Sequence, residues 1–320
     1  MVLYKERSLF KAKGEEEMKR SVVFVSCIVV LGLMLSACAS TPTAAPAAPA
    51  APAATTAAPL VPPEKLVEKG KLLICSDAPY PPFESINEKG EWEGMDVDLG
   101  NEIAKRLDLK AQYVATVFDT IIASVTSGKC DILISAMTIY PDRNKQISFV
   151  PYIKAGQSFV ALKGNPDNIT GVMDLCGKSV AAESGTVEVD YLKGTGDYLD
   201  KGLTQECVKA GKKAVNVVVT QKDSDAFQQL QAKKVVAYAT DSPVAAYYLL
   251  SHGDQFQTVG EVIESLPEGI GIPCGAPDCI TAPFSDVGKA VDKAFKAMVA
   301  DGTYDSILKK WNMTDGSINK

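Results

Sequence analysis

The sequence predicts an α/β protein made of two doubly wound halves, each with a mainly parallel sheet and helices on both faces. Short apolar segments typical of buried strands alternate with segments whose apolar residues recur at helical spacing. The same alternation begins again near Lys178, which indicates a second sheet. A chain of 320 residues, 46% of them hydrophobic, is long enough for two domains of ordinary size.

The first half begins with an apolar strand over residues 71–76, which ends at Asp77 in a stiff, proline-rich loop. The predicted elements that follow are a helix over 99–107, a strand over 112–117, a helix over 121–125 and a strand over 132–135. Ligands of open parallel sheets bind outside the carboxyl ends of the strands. The polar residues just after each strand are therefore the candidates for a site.

The second half repeats this order. Its predicted elements are a strand beginning at Lys178, a strand over 215–220, a helix over 226–230 and a strand over 235–240. Two amphipathic helices follow, with apolar stripes over 287–298 and 304–311, and Gly302 lies between them as a C-cap. These stripes indicate core-facing surfaces and not a cofactor site.

A secretory signal is predicted over residues 1–37. Residues 21–35 are uncharged and apolar, follow two basic residues, and are too few for a comfortable membrane span. The sequence Leu-Ser-Ala-Cys that ends at Cys38 resembles the lipobox of bacterial lipoproteins, which would make Cys38 the lipid-modified first residue. An uncleaved anchor is the alternative. Three glutamates at 15–17 do not fit a signal, so we expect synthesis to start at Met18.

Residues 38–63 predict a stalk. This stretch carries no charge and is rich in alanine and proline, so it can bury nothing specific and stays extended and semi-rigid. A stalk implies a body that works near a membrane.

The composition argues against several classes of function. The net charge is −6, and no basic patch is interleaved with aromatic residues, so nucleic acid is not an expected partner. The chain has one histidine and lacks the H-E-x-x-H and G-x-S-x-G motifs of metalloproteases and α/β-hydrolases. We expect no cofactor and no metal.

Six cysteines follow Cys38, and outside the cytoplasm disulfides can persist. The sequence does not determine how they pair. We expect the pairs Cys176–Cys207 and Cys274–Cys279, with Cys75 and Cys130 as buried free thiols. Zinc is disfavoured at the last pair because the ligand spacing is poor and only one histidine is present.

Residues 128–152 carry the pattern of a carboxylate-binding site. An apolar strand leads to the hydroxyls of Ser135 and Thr138, and Arg143 lies just inside a helix that Pro141 starts. A helix start offers free N–H groups and a partial positive charge, and a guanidinium can hold an anion with two hydrogen bonds. A solvated surface charge is the alternative interpretation of Arg143.

Five motifs occur in order between residues 64 and 311. They are Gly94-Met-Asp96-Val-Asp98-Leu99, Ser127-Gly128-Lys-Cys-Asp131, Arg143, Asp241-Ser242-Pro243 and Ala300-Asp-Gly-Thr-Tyr304. Together they resemble the family 3 extracellular solute-binding proteins, which feed amino acids to ABC importers. Met95 and Val236 depart from the family pattern, and neither is at a ligand position.

The resemblance implies a periplasmic binding protein type II fold, with two α/β lobes joined by two crossover segments. Lobe 1 would comprise residues 64–157 plus 269–320, and lobe 2 residues 158–268. The ligand, a small L-amino acid, would lie between them. The implied partners are the membrane subunits of an ABC importer, and the protein would be a monomer tethered to the membrane by its N-terminal lipid.

The resemblance also implies roles for individual residues. Arg143, the Thr138 hydroxyl and nearby backbone N–H groups would hold the ligand α-carboxylate, with further donors from Gly185 and Thr186. Asp241 would accept the α-ammonium. The side-chain pocket would be surrounded by Asp77, Tyr80, Phe83 and Phe118, with main-chain carbonyls offered by Ser135 and Ala136. Asp241 could instead be a helix N-cap, and the three aromatic residues could belong to the core.

The side chain of the ligand is defined less well. Asp77 and Glu183 together would favour a basic amino acid, whereas Asp77 alone is compatible with glutamine. Glu183 could also point to solvent. An acidic ligand is disfavoured by charge.

Three functions fit these observations. The first is non-enzymatic delivery of an amino acid to an importer. The second is an enzyme resembling cyclohexadienyl dehydratases, with Glu183 as an acid in the cleft. The third is a sensory ligand-binding module, which would need a signalling domain. The presence of both Arg143 and Asp241 favours the first, because an acid without an amine has no use for Asp241.

Overall fold

The computed structural model describes residues 60–274 and 278–319. The predicted signal, Cys38 and the stalk up to residue 59 lie outside the described residues. Leu60, near the end of the predicted stalk, packs partly buried against the first apolar core, and its amide donates to the Arg106 carbonyl at 2.8 Å.

Within this part of the chain the strands are β1 (Lys71–Ser76), β2 (Ser85–Ile86), β3 (Trp92–Glu93), β4 (Lys110–Ala115), β5 (Ile132–Leu133), β6 (Ser148–Leu162), β7 (Ser179–Glu183), β8 (Asn216–Thr220), β9 (Ala237–Asp241) and β10 (Phe256–Ile272). The helices are α1 (Met95–Arg106), α2 (Ile121–Thr126), α3 (Pro141–Asn144), α4 (Val187–Lys193), α5 (Leu203–Lys209), α6 (Asp223–Gln231), α7 (Ser242–His252), α8 (Asp286–Ala300) and α9 (Thr303–Lys310).

Eight of these strands form one mixed sheet with the order β4-β1-β5-β10-β6-β9-β7-β8. β1 pairs in parallel with β4 and β5, and β7 pairs in parallel with β8 and β9. Between these groups β6 and β10 run antiparallel to each other. We call the β4-β1-β5 group with its helices the first half, and the β9-β7-β8 group with its helices the second half.

The two sheets expected from the sequence are thus joined into one by β6 and β10, which span 15 and 17 residues. Neither strand was predicted from the residue pattern. β10 contains Pro267, Gly260 and Gly269, and its pairing with β6 shifts register at three places, so it lacks the regular alternation of a strand. The expected lobe boundaries, at 157/158 and 268/269, fall inside these two strands.

Each half buries apolar residues on both faces of its strands. In β1, Leu72 and Ile74 join one core cluster, while Leu73 and Cys75 join the cluster on the opposite face. Successive side chains of a strand point to opposite faces, so a strand covered on both sides is apolar throughout. Complete burial of one such side chain contributes about 1.5–3 kcal/mol to folding. Because β1 is buried on both faces, its apolar residues are consecutive, and the sequence pattern predicts its correct bounds.

The helices at the end of the described chain follow the prediction. Both α8 and α9 bury apolar stripes in the first half, and Gly302 has a φ of +81° between them, a conformation that favours glycine. Over residues 60–274 and 278–319, no helix has the length and apolar character needed to cross a membrane.

Three disulfides are present among the described residues: Cys75–Cys130, Cys176–Cys207 and Cys274–Cys279. The expected pairs are confirmed, but the expectation that Cys75 and Cys130 are free thiols is wrong. These two residues are 55 positions apart, and the parallel pairing of β1 with β5 brings their Cα atoms to 5.7 Å. A long-range contact of this kind has no local signal in the sequence.

We predict that the variant Cys75→Ala/Cys130→Ala loses about 2–4 kcal/mol of unfolding free energy, because the disulfide restricts a long loop in the unfolded chain. Denaturant unfolding measures the loss. The matched control removes Cys274–Cys279, which are 5 positions apart and should contribute less. Alkylation of Cys75 and Cys130 in denatured, non-reduced protein would show that the disulfide does not form.

Candidate functional site

A small cavity lies between the two halves. It is lined by Asp77, Tyr80, Phe118, Ser135, Ala136, Thr138, Arg143, Glu183, Thr186, Val187, Glu188 and Asp241. Ten of the twelve residues predicted for a ligand site are in this lining. Phe83 and Gly185 are not, and Val187 and Glu188 were not predicted.

The cavity lies where the strands of both halves end. Asp77 directly follows β1, Ser135 lies two residues beyond β5, Glu183 is the last residue of β7, and Asp241 is the last residue of β9. The carboxyl ends of parallel strands meet at one edge of a sheet. The rule that selected these polar residues from the sequence therefore also explains why they lie together.

Arg143 links the two halves. Its Nη1 donates to the Thr138 carbonyl at 2.8 Å, and its Nη2 donates to the Gly185 carbonyl of the second half at 2.9 Å. Its guanidinium carbon lies 5.6 Å from the centre of the Phe118 ring. A guanidinium has five N–H donors, so two bonds leave further donors for an anion. Burial lowers the pKa of Arg143 below its usual value, and the carboxylate of Glu188 opposes this shift.

The helix that carries Arg143 differs in part from the expectation. Pro141 does begin α3, but α3 has only four residues. The Asp142 amide at its start donates to the carboxylate of Asp197 at 3.3 Å and is already satisfied. The Thr138 carbonyl accepts a hydrogen bond from Arg143. The expected role of Thr138 was different, since its hydroxyl was to hold the ligand α-carboxylate.

Asp241 is held by the opposite half. The Tyr80 hydroxyl donates to the Asp241 carboxylate at 2.6 Å, and the Asp241 amide donates to the Tyr80 oxygen at 3.3 Å. Asp241 occupies the N-cap position of α7, but its side chain makes no capping hydrogen bond. The alternative role as a side-chain cap is therefore not what the structure shows. Burial, with the nearby charge of Glu188, raises the pKa of Asp241 well above its usual value.

Asp77 is paired with a lysine that was not predicted. One carboxylate oxygen of Asp77 forms an ion pair with Lys222 of the second half, and the other accepts the Phe118 amide at 2.6 Å. Burial raises the pKa of Asp77, and Lys222 opposes that shift. Lys222 lies two residues after β8, so the same strand-end rule could have found it.

Two further carboxyl groups line the cavity. Glu183 is buried and does not point to solvent, and its burial, together with the charges of Asp223 and Asp77, raises its pKa to about 10. Glu188, in the first turn of α4, is also buried, and its Oε1 has no hydrogen-bond partner among the described residues. Glu188 lies two residues after the predicted Gly185–Thr186 segment, which is the signal that could have identified it.

Ser135 and Ala136 are held by buried acidic residues. The Ser135 hydroxyl accepts the Asp77 amide at 3.0 Å and donates to the Glu84 carboxyl group. The Ala136 amide donates to the carboxylate of Asp96 at 3.0 Å. Asp96 belongs to the first of the five motifs, and its role here is to fix the backbone beside the cavity.

Phe83 and Gly185 support the site without lining it. Phe83 is fully buried in the first core, and its ring stacks on the Tyr80 ring at 5.9 Å between centres. Gly185 has a φ of +79°, and a Cβ atom there would lie 2.6 Å from the Cα of Asp119 in the other half. Only glycine allows the two halves to approach this closely. The Thr186 hydroxyl donates to the Glu183 carbonyl at 2.8 Å.

The sequence matches a family model described as bacterial extracellular solute-binding proteins, family 3, over residues 72–314. The chain belongs to this family. Its fold is the periplasmic binding protein type II fold, and the fold class predicted from the sequence is confirmed.

Three similar proteins are informative. The lysine/arginine/ornithine-binding periplasmic protein of Escherichia coli (strain K12) is 31% identical over 245 residues, which cover 74% of this chain and 86% of that protein. An ancestral arginine-binding protein bound to glutamine is 34% identical, with a TM-score of 0.65, over 77% of this chain and 99% of that one. The ancestral amino acid-binding protein AncCDT-1, a precursor of cyclohexadienyl dehydratase, is 32% identical, with a TM-score of 0.61. The match covers 76% of this chain and 95% of that one.

We predict that Glu183 makes the protein less stable as the pH rises. In the unfolded chain this carboxyl group ionises near its usual pKa of 4.5, whereas in the folded chain it stays protonated up to about pH 10. The folded state therefore binds more protons between these values, and unfolding free energy falls as the pH increases from 5 to 9. Denaturant unfolding at pH 5, 7 and 9 should show a shallower decline for Glu183→Gln.

The control for this measurement is Glu88→Gln, which changes an exposed carboxyl group outside the cavity lining. It should keep the pH profile of the unchanged protein. Identical profiles for the unchanged protein and Glu183→Gln would contradict the protonated state of Glu183.

Proposed function

We propose that this protein binds a polar L-amino acid in the cavity between its halves and delivers it to an ABC importer, with a basic side chain as the favoured class. The observation that carries the proposal is the presence of Arg143 and Asp241 in the lining of one small cavity. Membership of the solute-binding family supports the same function.

The charges of an amino acid explain why this pair is needed. A zwitterion that leaves water must find an opposite, hydrogen-bonded partner for each charge, because an unpaired buried charge costs several kcal/mol. In the proposal the α-carboxylate binds the remaining donors of Arg143. The α-ammonium binds Asp241, whose carboxylate then holds both the ligand and the Tyr80 hydroxyl.

The same pair would make closure depend on the ligand. We propose that the halves act as the two lobes expected from the sequence, with residues 64–157 plus 269–320 in one and 158–268 in the other. Arg143 lies before the boundary at 157/158 and Asp241 after it. A ligand that touches both residues binds the closed arrangement better than an open one, so it shifts the population toward closure.

The carboxyl groups of the lining and the named relatives bear on the side-chain class of the ligand. Asp77, Glu183 and Glu188 are carboxyl groups in the cavity wall and disfavour an acidic ligand. The relative that is named for binding lysine, arginine and ornithine supports a basic ligand, and the ancestral arginine-binding protein bound to glutamine shows that a related scaffold also holds a neutral one.

We favour binding over catalysis. Glu183 is a protonated acid in the cleft, as the dehydratase hypothesis requires, and one similar structure is described as a precursor of that enzyme. That precursor is itself described as an amino acid-binding protein. The paired Tyr80 and Asp241 provide an amine site, which a substrate without an amine would not use.

We also propose that the protein is a monomeric lipoprotein on the extracytoplasmic face of the cell membrane. The lipobox-like sequence ending at Cys38 supports lipid attachment, and the uncharged stretch over 38–63 supports a stalk. A tether of this kind would keep the binding body close to the membrane subunits of the importer.

The ligand proposal is tested by calorimetry of the purified full-length chain with the twenty amino acids and ornithine. We predict that Arg143→Ala and Asp241→Ala each weaken binding of the best ligand by at least about 2 kcal/mol, because each leaves one buried charge of the ligand unpaired. Lys145→Met, which removes an exposed positive charge two residues from Arg143, is the matched control and should keep the affinity.

Unchanged affinity in either cavity variant would contradict the assignment of the two residues. Failure of every amino acid to bind would contradict the proposed function. Turnover of prephenate or arogenate by the purified chain would favour the enzyme hypothesis.

The anchor is tested by labelling with a radioactive fatty acid in a bacterial host. We predict that the unchanged chain incorporates the label and that Cys38→Ser does not, because the lipid is attached through the Cys38 thiol. Cys27→Ser removes the other cysteine of the N-terminal segment and should still be labelled. Labelling of Cys38→Ser would place the lipid elsewhere.

A further inference from the structure

We propose that Lys222 is a specificity-determining residue, because its ammonium occupies the place beside Asp77 that the cation of a basic ligand needs. Lys222 thereby lowers the affinity for basic amino acids relative to neutral polar ones. This inference rests on the proposed function and adds a residue outside the cavity lining that competes with the ligand for Asp77, which belongs to the lining.

Both carboxylate oxygens of Asp77 already have partners, and the only cation among these partners is Lys222. The Oδ1 of Asp77 is paired with the Lys222 ammonium, its Oδ2 accepts the Phe118 amide at 2.6 Å, and its side chain is 3% exposed. Lys222 also donates to the Ala78 carbonyl at 3.0 Å. A guanidinium or ammonium of a ligand can reach Asp77 only if Lys222 leaves, because two cations at one oxygen repel each other.

Lys222 is placed so that it can leave. It lies at the N-cap position of α6 in the second half, and both hydrogen bonds of its ammonium reach across to the first half. Its side chain is 31% exposed, so the ammonium can leave Asp77 and be hydrated by solvent. Asp77 cannot do the same, because a buried carboxylate must keep a partner.

Glu183 does not offer the ligand a second negative charge. Burial and the charges of Asp223 and Asp77 raise its pKa to about 10, so it remains protonated at neutral pH. A protonated carboxyl group donates and accepts hydrogen bonds as a carboxamide does. With Asp77 neutralised by Lys222, this end of the cavity carries no net charge until a ligand displaces the lysine.

A purely structural role for Lys222 predicts something different. If the pair with Asp77 only held the halves together, its loss would weaken every ligand by a similar factor. Competition instead predicts a change that depends on the charge of the ligand side chain. In Lys222→Met the cation of a basic ligand can pair with the freed Asp77, so the affinity for this ligand rises. Glutamine has no side-chain cation and leaves the Asp77 carboxylate unpaired, so its affinity does not rise.

The experiment is calorimetry of the full-length chain with arginine, lysine and glutamine. We expect Lys222→Met to raise the ratio of arginine or lysine affinity to glutamine affinity at least about tenfold, a factor typical of gaining one charge-assisted contact. Lys222→Gln is a second variant that keeps a polar side chain of similar reach, and it should shift the ratio in the same direction.

Two controls separate competition from a general effect of charge. Lys222→Arg keeps the cation and should leave the ratio within about threefold of the unchanged protein. Lys234→Met removes the same charge at an exposed position of the second half outside the cavity lining, and should not change the ratio. In an Asp77→Asn background, Lys222→Met should lose its effect on the ratio, since there is no carboxylate to compete for.

The outcomes distinguish the two proposals. Binding of an amino acid with an unchanged ratio in both Lys222→Met and Lys222→Gln would overturn the competition and leave the proposed function in place. An equal loss of affinity for arginine, lysine and glutamine in the Lys222 variants would assign Lys222 a structural role. No binding of any amino acid to the unchanged chain would overturn both.

Discussion

Contacts between buried side chains and partners in the opposite half determine how the two halves of this molecule meet. Asp77 and Asp241 are both buried, and each is satisfied by a residue of the opposite half, Lys222 for the first and Tyr80 for the second. Arg143 crosses in the same way to a carbonyl of the second half. The cavity wall is therefore also the contact surface between the halves, so any ligand that enters must replace some of these contacts.

The sheet makes such an exchange mechanically possible. β6 and β10 are the strands that connect the two parallel groups, and their pairing shifts register at three places. Most of each core cluster belongs to one half, although Tyr140 packs in a cluster of the second half and Val244 in a cluster of the first. A rotation of one half against the other would deform β6 and β10 and would shift these two packing contacts.

Much of the fold was accessible from the sequence, because its strands and helices have strong local signals. β1 is apolar at nearly every position, and α8 and α9 carry clear helical stripes. β10 was missed because Pro267 and three glycines interrupt its pattern, and the Cys75–Cys130 disulfide was missed because its ends are 55 positions apart. For the site, the rule of strand ends selected most of the lining, whereas Phe83, which the family resemblance placed around the pocket, is fully buried in the core outside the lining.

The α/β class, the order of most elements, the family motifs and the two opposite charges at Arg143 and Asp241 can be recognised from the sequence. These are properties of short segments, and local spacing is enough to reveal them. The pairing of Lys222 with Asp77 and the place of Glu188 in the cavity wall depend on the folded arrangement of the chain. Lys222 and Asp77 are 145 positions apart, and their pairing depends on how two separately folded halves approach each other, which no local pattern encodes.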